Sequence, residues 1–336
     1  MRNLLAPLGM VYALIHGIRR KLYLWGVLRA QRLSKPVISV GNLTVGGTGK
    51  TPFIDILLNQ FEALNLKCCV LTRGYGRENS SFKIVSHESS VEEVGDEPLW
   101  LFKRHPNVII SVGADRLAAA KLAGPVDLYL LDDGLQHLSL HRDFEITLID
   151  ATRPLWHFHP LPWGYGRDSV RVLKRSDLIV LTRSNQATPD QLDKIAVKIF
   201  DQGFLDVIEG FVGFEEFKNI ISDTVVEVKP QKVGLVSAVG NPHSFEKLAK
   251  EIGFEVVFHE TKRDHWSYSQ NDIEDLEKKA LANGVQMILT TEKDSVKLRG
   301  VLSSTKTTLV WITLVAKMTF DPELPNIYDL VSHSSH

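Results

Sequence analysis

Residues 37–61 constrain this chain more than any other segment. Val-Ile-Ser-Val at 37–40 reads as a buried strand, the run Thr44, Val45, Gly46, Gly47, Thr48, Gly49, Lys50 and Thr51 follows it, and residues 53–61 carry helical spacing. Strand, glycine-rich loop and helix in that order form a phosphate-binding unit. Its glycines let backbone N–H groups converge on phosphate oxygens, Lys50 reaches the outer phosphates, and Thr51 offers a hydroxyl to Mg²⁺. A glycine-rich turn before an ordinary helix is the alternative, and the complete order argues against it. Thr44 stands where the generic pattern has its first glycine; this alters the loop's entrance and leaves Gly49, Lys50 and Thr51 in place. Each residue of the run is a candidate nucleotide ligand, and Lys50 is also a candidate catalytic residue.

Downstream, short apolar runs at 68–72, 108–112, 128–131, 145–149 and 178–181 alternate with helical patterns. That is the signature of a parallel sheet with crossover helices. Between 209 and 230 polar and apolar residues alternate without helical spacing (Phe211, Phe214, Phe217, then Val225, Val226, Val228), which reads as an antiparallel connector. Further runs at 234–238, 256–259, 287–290 and 309–314, with helical stretches at 244–252 and 272–282, read as a second, smaller unit. The expected fold is α/β: a P-loop-type, mainly parallel sheet with helices on both faces (31–208), a two-stranded linker (209–230) and a smaller α/β domain (231–336).

Residues 1–30 stand apart. Leu4, Leu8, Val11, Ile15, Ile18, Leu22 and Trp25 recur at the three-and-four spacing of one helix face. The uncharged stretch at 3–18 is shorter than the ~20 residues that cross a bilayer, and Arg19, Arg20 and Lys21 end it. The pattern fits a helix lying on a membrane and equally a helix packed on the protein's own core. A secretory signal would share the hydrophobicity, but a phosphate loop so soon afterwards requires a compartment with nucleotide, and no small-residue cleavage pattern is obvious. Lys and Arg (39) balance Asp and Glu (40), so the basic field that drives non-specific nucleic-acid binding is missing. Cys68 and Cys69 are adjacent in a strand-like run and point to opposite faces; no disulfide framework follows, and a reduced cytoplasm fits.

Several polar residues sit where this architecture places chemistry. The run at 127–133 is an apolar strand ending in Asp132 and Asp133, the arrangement that sets an acid beside the Mg²⁺ of a phosphate loop. Asp96 and Glu97 precede Pro98 at a helix start, where Asp96 is by default an N-cap. A carboxylate paired with a histidine also accepts a hydroxyl proton, and Asp264-His265-Trp266 offers one, although spacing alone does not pair them. Arg73, Tyr75 and Arg77 follow the strand at 68–72, at the sheet edge where ligands bind, and suit an anionic substrate; a solvated basic turn is the alternative. Arg116, His137, Arg142 and Arg183 have less positional support for the same purpose.

Taken together, these motifs resemble the tetraacyldisaccharide 4'-kinases, the lipid A 4'-kinases of Gram-negative bacteria. The resemblance runs through nearly the whole chain: the apolar N-terminal helix, Gly-Asn-Leu-Thr-Val-Gly-Gly-Thr-Gly-Lys-Thr-Pro (41–52), the segments at 73–77 and 95–98, Asp-Asp-Gly-Leu-Gln-His (132–137) with Arg142-Asp143, Asp264-His265, and Thr-Thr-Glu-Lys-Asp (290–294). It implies an ATP- and Mg²⁺-dependent phosphotransferase acting on the 4'-hydroxyl of a tetraacylated glucosamine disaccharide 1-phosphate. It also implies peripheral attachment to the cytoplasmic face of the inner membrane, with no nucleic acid and no obligate protein partner. It assigns Asp96 and His265 as a base pair, and places Glu97, Asp132 and Asp133 with Thr51 near the metal. One segment departs from the family pattern: where a proline-glycine turn is followed by Leu-Arg-Glu, this chain ends its turn at Arg167-Asp168, one methylene short.

Two other classes share parts of this pattern. A nucleotide-switched membrane-targeting ATPase would have the loop, the acidic strand end and an amphipathic helix, but no use for a second-domain histidine near the phosphates. An ATP-dependent ligase would form an acyl phosphate on a carboxylate instead.

Overall fold

The computed structural model describes residues 5–75, 77, 81–264 and 266–334. In chain order the elements are α1 (Ala6–Leu24), β1 (Val37–Asn42), α2 (Lys50–Ala63), β2 (Cys68–Thr72), β3 (Lys83–Ile84), α3 (Val91–Val94), α4 (Asp96–Arg104), β4 (Ile109–Val112), α5 (Arg116–Leu122), β5 (Leu128–Asp132), β6 (Phe144–Asp150), β7 (Leu178–Thr182), α6 (Pro189–Phe200), β8 (Ile208–Asn219), β9 (Lys232–Ser237), α7 (Pro242–Glu251), β10 (Glu255–Thr261), α8 (Gln270–Ala282), β11 (Met287–Thr291), α9 (Glu292–Ser304), β12 (Val310–Asp321) and α10 (Ile327–Ser334). The strands form one sheet in the order β10-β9-β11-β12-β8-β7-β6-β1-β5-β2-β4-β3. Only β8–β12 and β3–β4 pair antiparallel; the other neighbours are parallel. The α/β reading therefore holds.

The centre of the sheet is buried on both faces, which is why its strands are continuous apolar runs rather than alternating ones. All residues of β1, β2, β5 and β6 are buried. Helix α2 turns Phe53, Ile54, Leu57, Leu58 and Phe61 onto β1 and its neighbours. Truncating one such aromatic to alanine costs about 3–5 kcal/mol in a well-packed core. Starts are set locally: Asp115 accepts from the amides of Leu117 and Ala118 to cap α5, and Ser269 and Thr291 cap α8 and α9.

Strands β8 and β12 join the two halves of the sheet. The first residues of β8 pair parallel with β7 (Val180 opposite Ile208), and then residues 209–219 pair antiparallel with β12. The first half of β12 pairs in turn with β11. The expected linker at 209–230 is thus paired differently along its length: the main antiparallel partner of its first strand is β12, about 90 residues away, while residues 224–226 fold back only on 217–219, through the Lys218–Val225 bridge and two backbone hydrogen bonds. The expected boundary at 336 also shifts. After β12 the chain returns to the first half, where Leu324, Ile327 and Val331 join the core around Phe53 and Phe61, and Gln60 donates to the carbonyl of Pro325 (3.2 Å).

A polar cluster fastens α4 to α2. Asp55 accepts two hydrogen bonds from Arg104 (2.6 and 3.1 Å), and buried His105 contacts Asp55 (2.9 Å) and Glu62 (2.8 Å). Burial alone would lower the His105 pKa; hydrogen bonds to Asp55 and Glu62 outweigh it and raise the value above 6.5. Burial would raise Asp55, and His105 and Arg104 hold it below 3.8 instead. The histidine's contribution is thus complete below pH 6.5 and is lost as pH rises through its folded pKa; that of Asp55 is present above 3.8 and lost on acidification. Replacing His105 by Gln should cost about 1.5–3 kcal/mol in urea unfolding at pH 6, and the deficit should shrink at pH 9. A deficit that does not change with pH would contradict the charged pairing.

Candidate active site at the phosphate loop

The loop leaves the C-terminal end of β1, between β5 and β6, so three strand ends meet around it. Asn42, the last residue of β1, donates to the carbonyl of Thr44 (2.7 Å) and to the Thr48 hydroxyl (3.0 Å), drawing the loop into a ring. Thr182, ending β7, donates to the carbonyl of Thr48 (2.8 Å). Gly49 has φ 86°, a left-handed conformation that suits glycine, and α2 starts immediately after it at Lys50.

Residues 46–52 line a cleft of about 360 Å³ between the two halves of the molecule. Gly46, Gly47, Thr48, Gly49, Lys50 and Thr51 therefore stand together as expected. Thr44 and Val45 do not reach the cleft: Thr44 is buried and bridges Gly166, and the Val45 amide donates to the carbonyl of Tyr165 (2.9 Å). The position that departs from the generic glycine is an anchor for the 158–168 segment.

Asp132 and Asp133 occupy different environments although they are adjacent. Val40 of β1 lies opposite Asp132 in the sheet, and Asp132 accepts from the Thr72 hydroxyl (2.7 Å). Burial pushes its pKa up to about 6, Lys50 opposes, and Glu97 and Asp133 add repulsion. Asp133, at φ 58°, lies 3.6 Å from the Lys50 ammonium and accepts from Arg167 (2.6 Å). Burial would raise this carboxyl too, but Lys50 and Arg167 hold it below the usual range. Tyr75 reaches Asp133 at 3.4 Å.

Among the described residues no three His, Cys, Asp or Glu side chains are grouped to hold a metal by themselves. A Mg²⁺ bound with nucleotide phosphates needs only one or two protein oxygens. Asp132, buried at the cleft with a raised pKa and no cation bonded to it, and Thr51 beside Lys50 fit that requirement. The oxygens of Asp133 are engaged by Lys50 and Arg167, and Glu97 faces Lys293 at 3.1 Å.

The C-terminal half supplies the opposite wall. The turn after β9 rests on the loop so closely that a Cβ on Gly240 would strike the Gly47 amide. Asp150, buried at the end of β6, gathers this junction: it accepts from Thr152, Arg153, Arg183 (2.8 Å) and Asn241 (3.3 Å). Arg153 donates onward to the carbonyl of Gly240 (2.6 Å) and Arg183 to that of Gly47 (3.0 Å). Val212, Phe245, Leu248, Leu314, Ala316 and Met318 give one end of the cleft an apolar lining. Asp96 opens α4 at 2% exposure, and Lys297 of α9 lies 2.8 Å from its carboxylate. Asp264 lines the cleft, whereas His265 lies outside the described residues.

The expected anion-binding residues do not all reach this cleft. Tyr75 lines it; Arg73 is exposed with its guanidinium over the Tyr75 ring (5.6 Å), and Arg77 donates to the carbonyl of Ser81. Arg116 is buried and holds the carbonyl of Gly113 (2.6 Å) at the end of β4. His137 has its pKa lowered to about 4 by burial, with Arg116 and Arg142 adding to the effect. It is therefore neutral at physiological pH, a hydrogen-bonding group rather than a cation.

Asp168, the position one methylene short, turns away from the cleft: it accepts from Arg20 of α1 (3.1 Å) and from its own neighbour's amide. Helix α1 packs through Gly9, where a Cβ would stand 2.9 Å from that of Trp163. The expected stripe points the other way. Leu8, Val11, Ile15 and Ile18 are each at least half exposed and Trp25 is 70% exposed, so these side chains do not pack on the protein's own core. Leu22 is half-buried, and Leu4 lies outside the described residues. No helix among the described residues is long and apolar enough to cross a membrane.

Sequence reasoning missed Asp150, Arg153, Asn241 and Lys297, and noted Lys293 only as part of the motif at 290–294, without a role. Asp150 carried a signal: it ends a strand flanking β1, one residue past the apolar run at 145–149. The others act from parts of the chain that only the folded sheet brings to the loop.

The tetraacyldisaccharide-1-P 4'-kinase family profile matches residues 1–331. A tetraacyldisaccharide 4'-kinase from Bdellovibrio bacteriovorus is 34% identical over 322 residues, covering 93% of this chain and 94% of the relative. One from Geobacter metallireducens is 33% identical over 328 residues, covering 95% of each. The crystal structure of an LpxK from Aquifex aeolicus, described as an "apo" form in complex with ATP, superposes with a TM-score of 0.74 at 29% identity, covering 98% of this chain and 97% of that one. The chain belongs to the tetraacyldisaccharide 4'-kinase family.

Proposed function

We propose that this protein transfers the γ-phosphoryl group of ATP to the 4'-hydroxyl of a tetraacyldisaccharide 1-phosphate, working at the cytoplasmic face of a Gram-negative inner membrane. The observation that carries the reading is the cleft itself: it is lined by the phosphate loop, the buried strand-end acids, apolar side chains and Glu97 from the start of α4, with Asp96 buried next to Glu97. The apolar part of the lining, with Phe245, Leu248, Leu314 and Met318, suits an adenine ring.

Lys50 and the loop amides then hold the β- and γ-phosphates. Asp133 and Arg167 keep the Lys50 ammonium at the mouth of the loop. A Mg²⁺ held by Thr51 and Asp132 would neutralise charge on the transferring phosphates. As the 4'-oxygen attacks the γ-phosphorus, its proton passes to the Asp96 carboxylate and the bond to the β–γ bridging oxygen breaks, releasing ADP. His265 as the partner that orients Asp96 rests on the family motif. Arg73 and Tyr75, just after β2 and exposed, offer positive charge and a hydroxyl for the acceptor's 1-phosphate. Charge and exposure also suit α1 to the membrane: an apolar outward face ends in Arg19 and Lys21, both exposed, which complement anionic headgroups, while Arg20 is held by Asp168.

With γ-labelled ATP and the disaccharide lipid, label should enter the lipid, and His265→Ala should lower kcat at saturating substrates. Label appearing only as free phosphate would favour a switched ATPase. Changing Val11, Ile15 and Ile18 together to Gln should abolish co-sedimentation with vesicles and raise the lipid KM at least about 10-fold, with the ATP KM unchanged; equal changes in both would point to misfolding. Arg167→Met leaves Asp133 to Lys50 alone and should raise the ATP KM about 10-fold, roughly 1.4 kcal/mol. An unaltered ATP KM would separate that pairing from nucleotide binding.

A further inference from the structure

A second cavity, of about 260 Å³, takes no part in the mechanism above. It lies where α1 ends against the starts of β6 and β7, whereas Asp150, at the other end of β6, stands at the phosphate-loop junction; the length of a strand separates the two sites. The lining carries both signs of charge. Of its arginines, Arg20 is committed to Asp168 (3.1 Å), and Arg142 to the carbonyl of Gly134 (2.9 Å) and to Glu145 (3.3 Å). Arg175 is half-buried, and neither its guanidinium nor the Tyr23 hydroxyl has a hydrogen-bond or ion-pair partner among the described residues. The acids have the opposite deficit. Glu145, 3% exposed, takes one hydrogen bond from Ser39 (2.9 Å) on Oε1 and none on Oε2, and burial pushes its pKa up to about 7 against the pull of Arg142 and Ser39. Asp177 accepts only from the Glu145 amide (2.7 Å), and burial raises its pKa as well. Leu24, which also lines the cavity, opens a run of apolar residues with Trp25 and Val27, each at least 67% exposed, that extends the stripe of α1.

We propose that this cavity seats the headgroup of a bilayer lipid that is a phosphodiester carrying a primary amine, with the phosphate taken by Arg175 and the Tyr23 hydroxyl and the ammonium by Asp177. The physical case is one of matching. A cavity that holds an unpaired cation and undercompensated acids is satisfied by a ligand that is itself a dipole, because each end meets the charge that lacks a partner. A headgroup with phosphate alone would leave the acids as they are and bring another negative charge beside them. A quaternary amine has no N–H to donate to Asp177. Glu145 adds negative potential behind the ammonium, and Arg20, already paired, keeps the end of α1 against the cavity. The source is a lipid because the cavity shares Leu24 with the exposed apolar run: acyl chains that cover Leu24, Trp25 and Val27 bring their headgroups to its mouth. The site therefore rests on the reading of α1 as a helix lying on the membrane, and it would fix which way the enzyme sits there.

The test measures co-sedimentation of the full-length protein with phosphatidylcholine vesicles in which part of the lipid is replaced by phosphatidylethanolamine or by phosphatidylglycerol. Wild type is compared with Arg175→Met, Asp177→Asn and Tyr23→Phe, and kcat and the thermal midpoint are followed alongside. Phosphatidylethanolamine should raise vesicle affinity about 10-fold over phosphatidylcholine alone, the worth of one charge-assisted contact. Arg175→Met and Asp177→Asn should each remove that gain, with binding to phosphatidylcholine vesicles and kcat unchanged. Tyr23→Phe should lose part of it. Glycerophosphoethanolamine in solution should raise the thermal midpoint of wild type and not of Arg175→Met, whereas glycerophosphocholine should leave both unmoved. Should Asp177→Asn fold poorly through its contact with the Glu145 amide, Arg175→Met and Tyr23→Phe, which break no contact within the protein, carry the comparison. A gain that survives in every variant would come from bilayer packing and would overturn the site. An equal gain with phosphatidylglycerol, lost in Arg175→Met and kept in Asp177→Asn, would overturn it in favour of a plain anion site. Binding to phosphatidylcholine vesicles with no gain from phosphatidylethanolamine would overturn the headgroup site and leave the reading of α1 standing; no binding of wild type to any vesicle would overturn both.

Discussion

Lys50 and Asp133 face each other across 3.6 Å at the point where β1, β5 and α2 converge, and Arg167 closes on the same carboxylate. From this contact the structure can be followed outward in two directions. Along the chain from Arg167, the next residue, Asp168, holds Arg20 of α1, so the segment that steadies the phosphate-loop lysine also moors the apolar helix. Without Arg167, the buried Asp133 would have only Lys50 to neutralise it, and a lysine committed to a carboxylate is a poorer ligand for phosphate. The shortened acid at 168 makes sense in this setting: its work is to hold α1, and an aspartate reaches Arg20 from where the backbone places it.

In the other direction lies the C-terminal half, attached through the long β8–β12 pairing and pressed onto the loop at Gly47 and Gly240. Two polar junctions hold it there. Asp150 collects donors from β7, from the turn after β6 and from Asn241, and the lysines of α9 meet the acids of α4. Both junctions are buried and charged, so each depends on its partner being present. A fold that divides its site between two halves in this way excludes water from the cleft when they meet.

The loop, the strand ends and the helix stripe were legible in sequence because each is local: a run of apolar residues, a glycine spacing, a three-and-four period. Residues 68–72 were read to the residue, and Asp132 and Asp133 were recognised from the apolar run before them. What could not be read depends on pairing across the chain. The second half of β12 carries Lys317 and exposed positions, so nothing local marks it as the partner of β8. Lys297 sits on a helix of ordinary composition, where an isolated lysine reads as solvated; burial against Asp96 comes only from the docking of α9 on α4. Arg116 and Arg77 were chosen as anion ligands for their charge, and the structure engages both with backbone carbonyls, because a guanidinium near a strand end satisfies the nearest free acceptors first.

The central claim is that the cleft phosphorylates one particular sugar hydroxyl, and the position of the new phosphate tests it most directly. Phosphorus–proton correlation spectra of the lipid product made from ATP and tetraacyldisaccharide 1-phosphate should show a second phosphorus coupled to the proton on the 4' carbon. A second phosphorus coupled to any other ring position, or one joined to the existing 1-phosphate, would contradict the account.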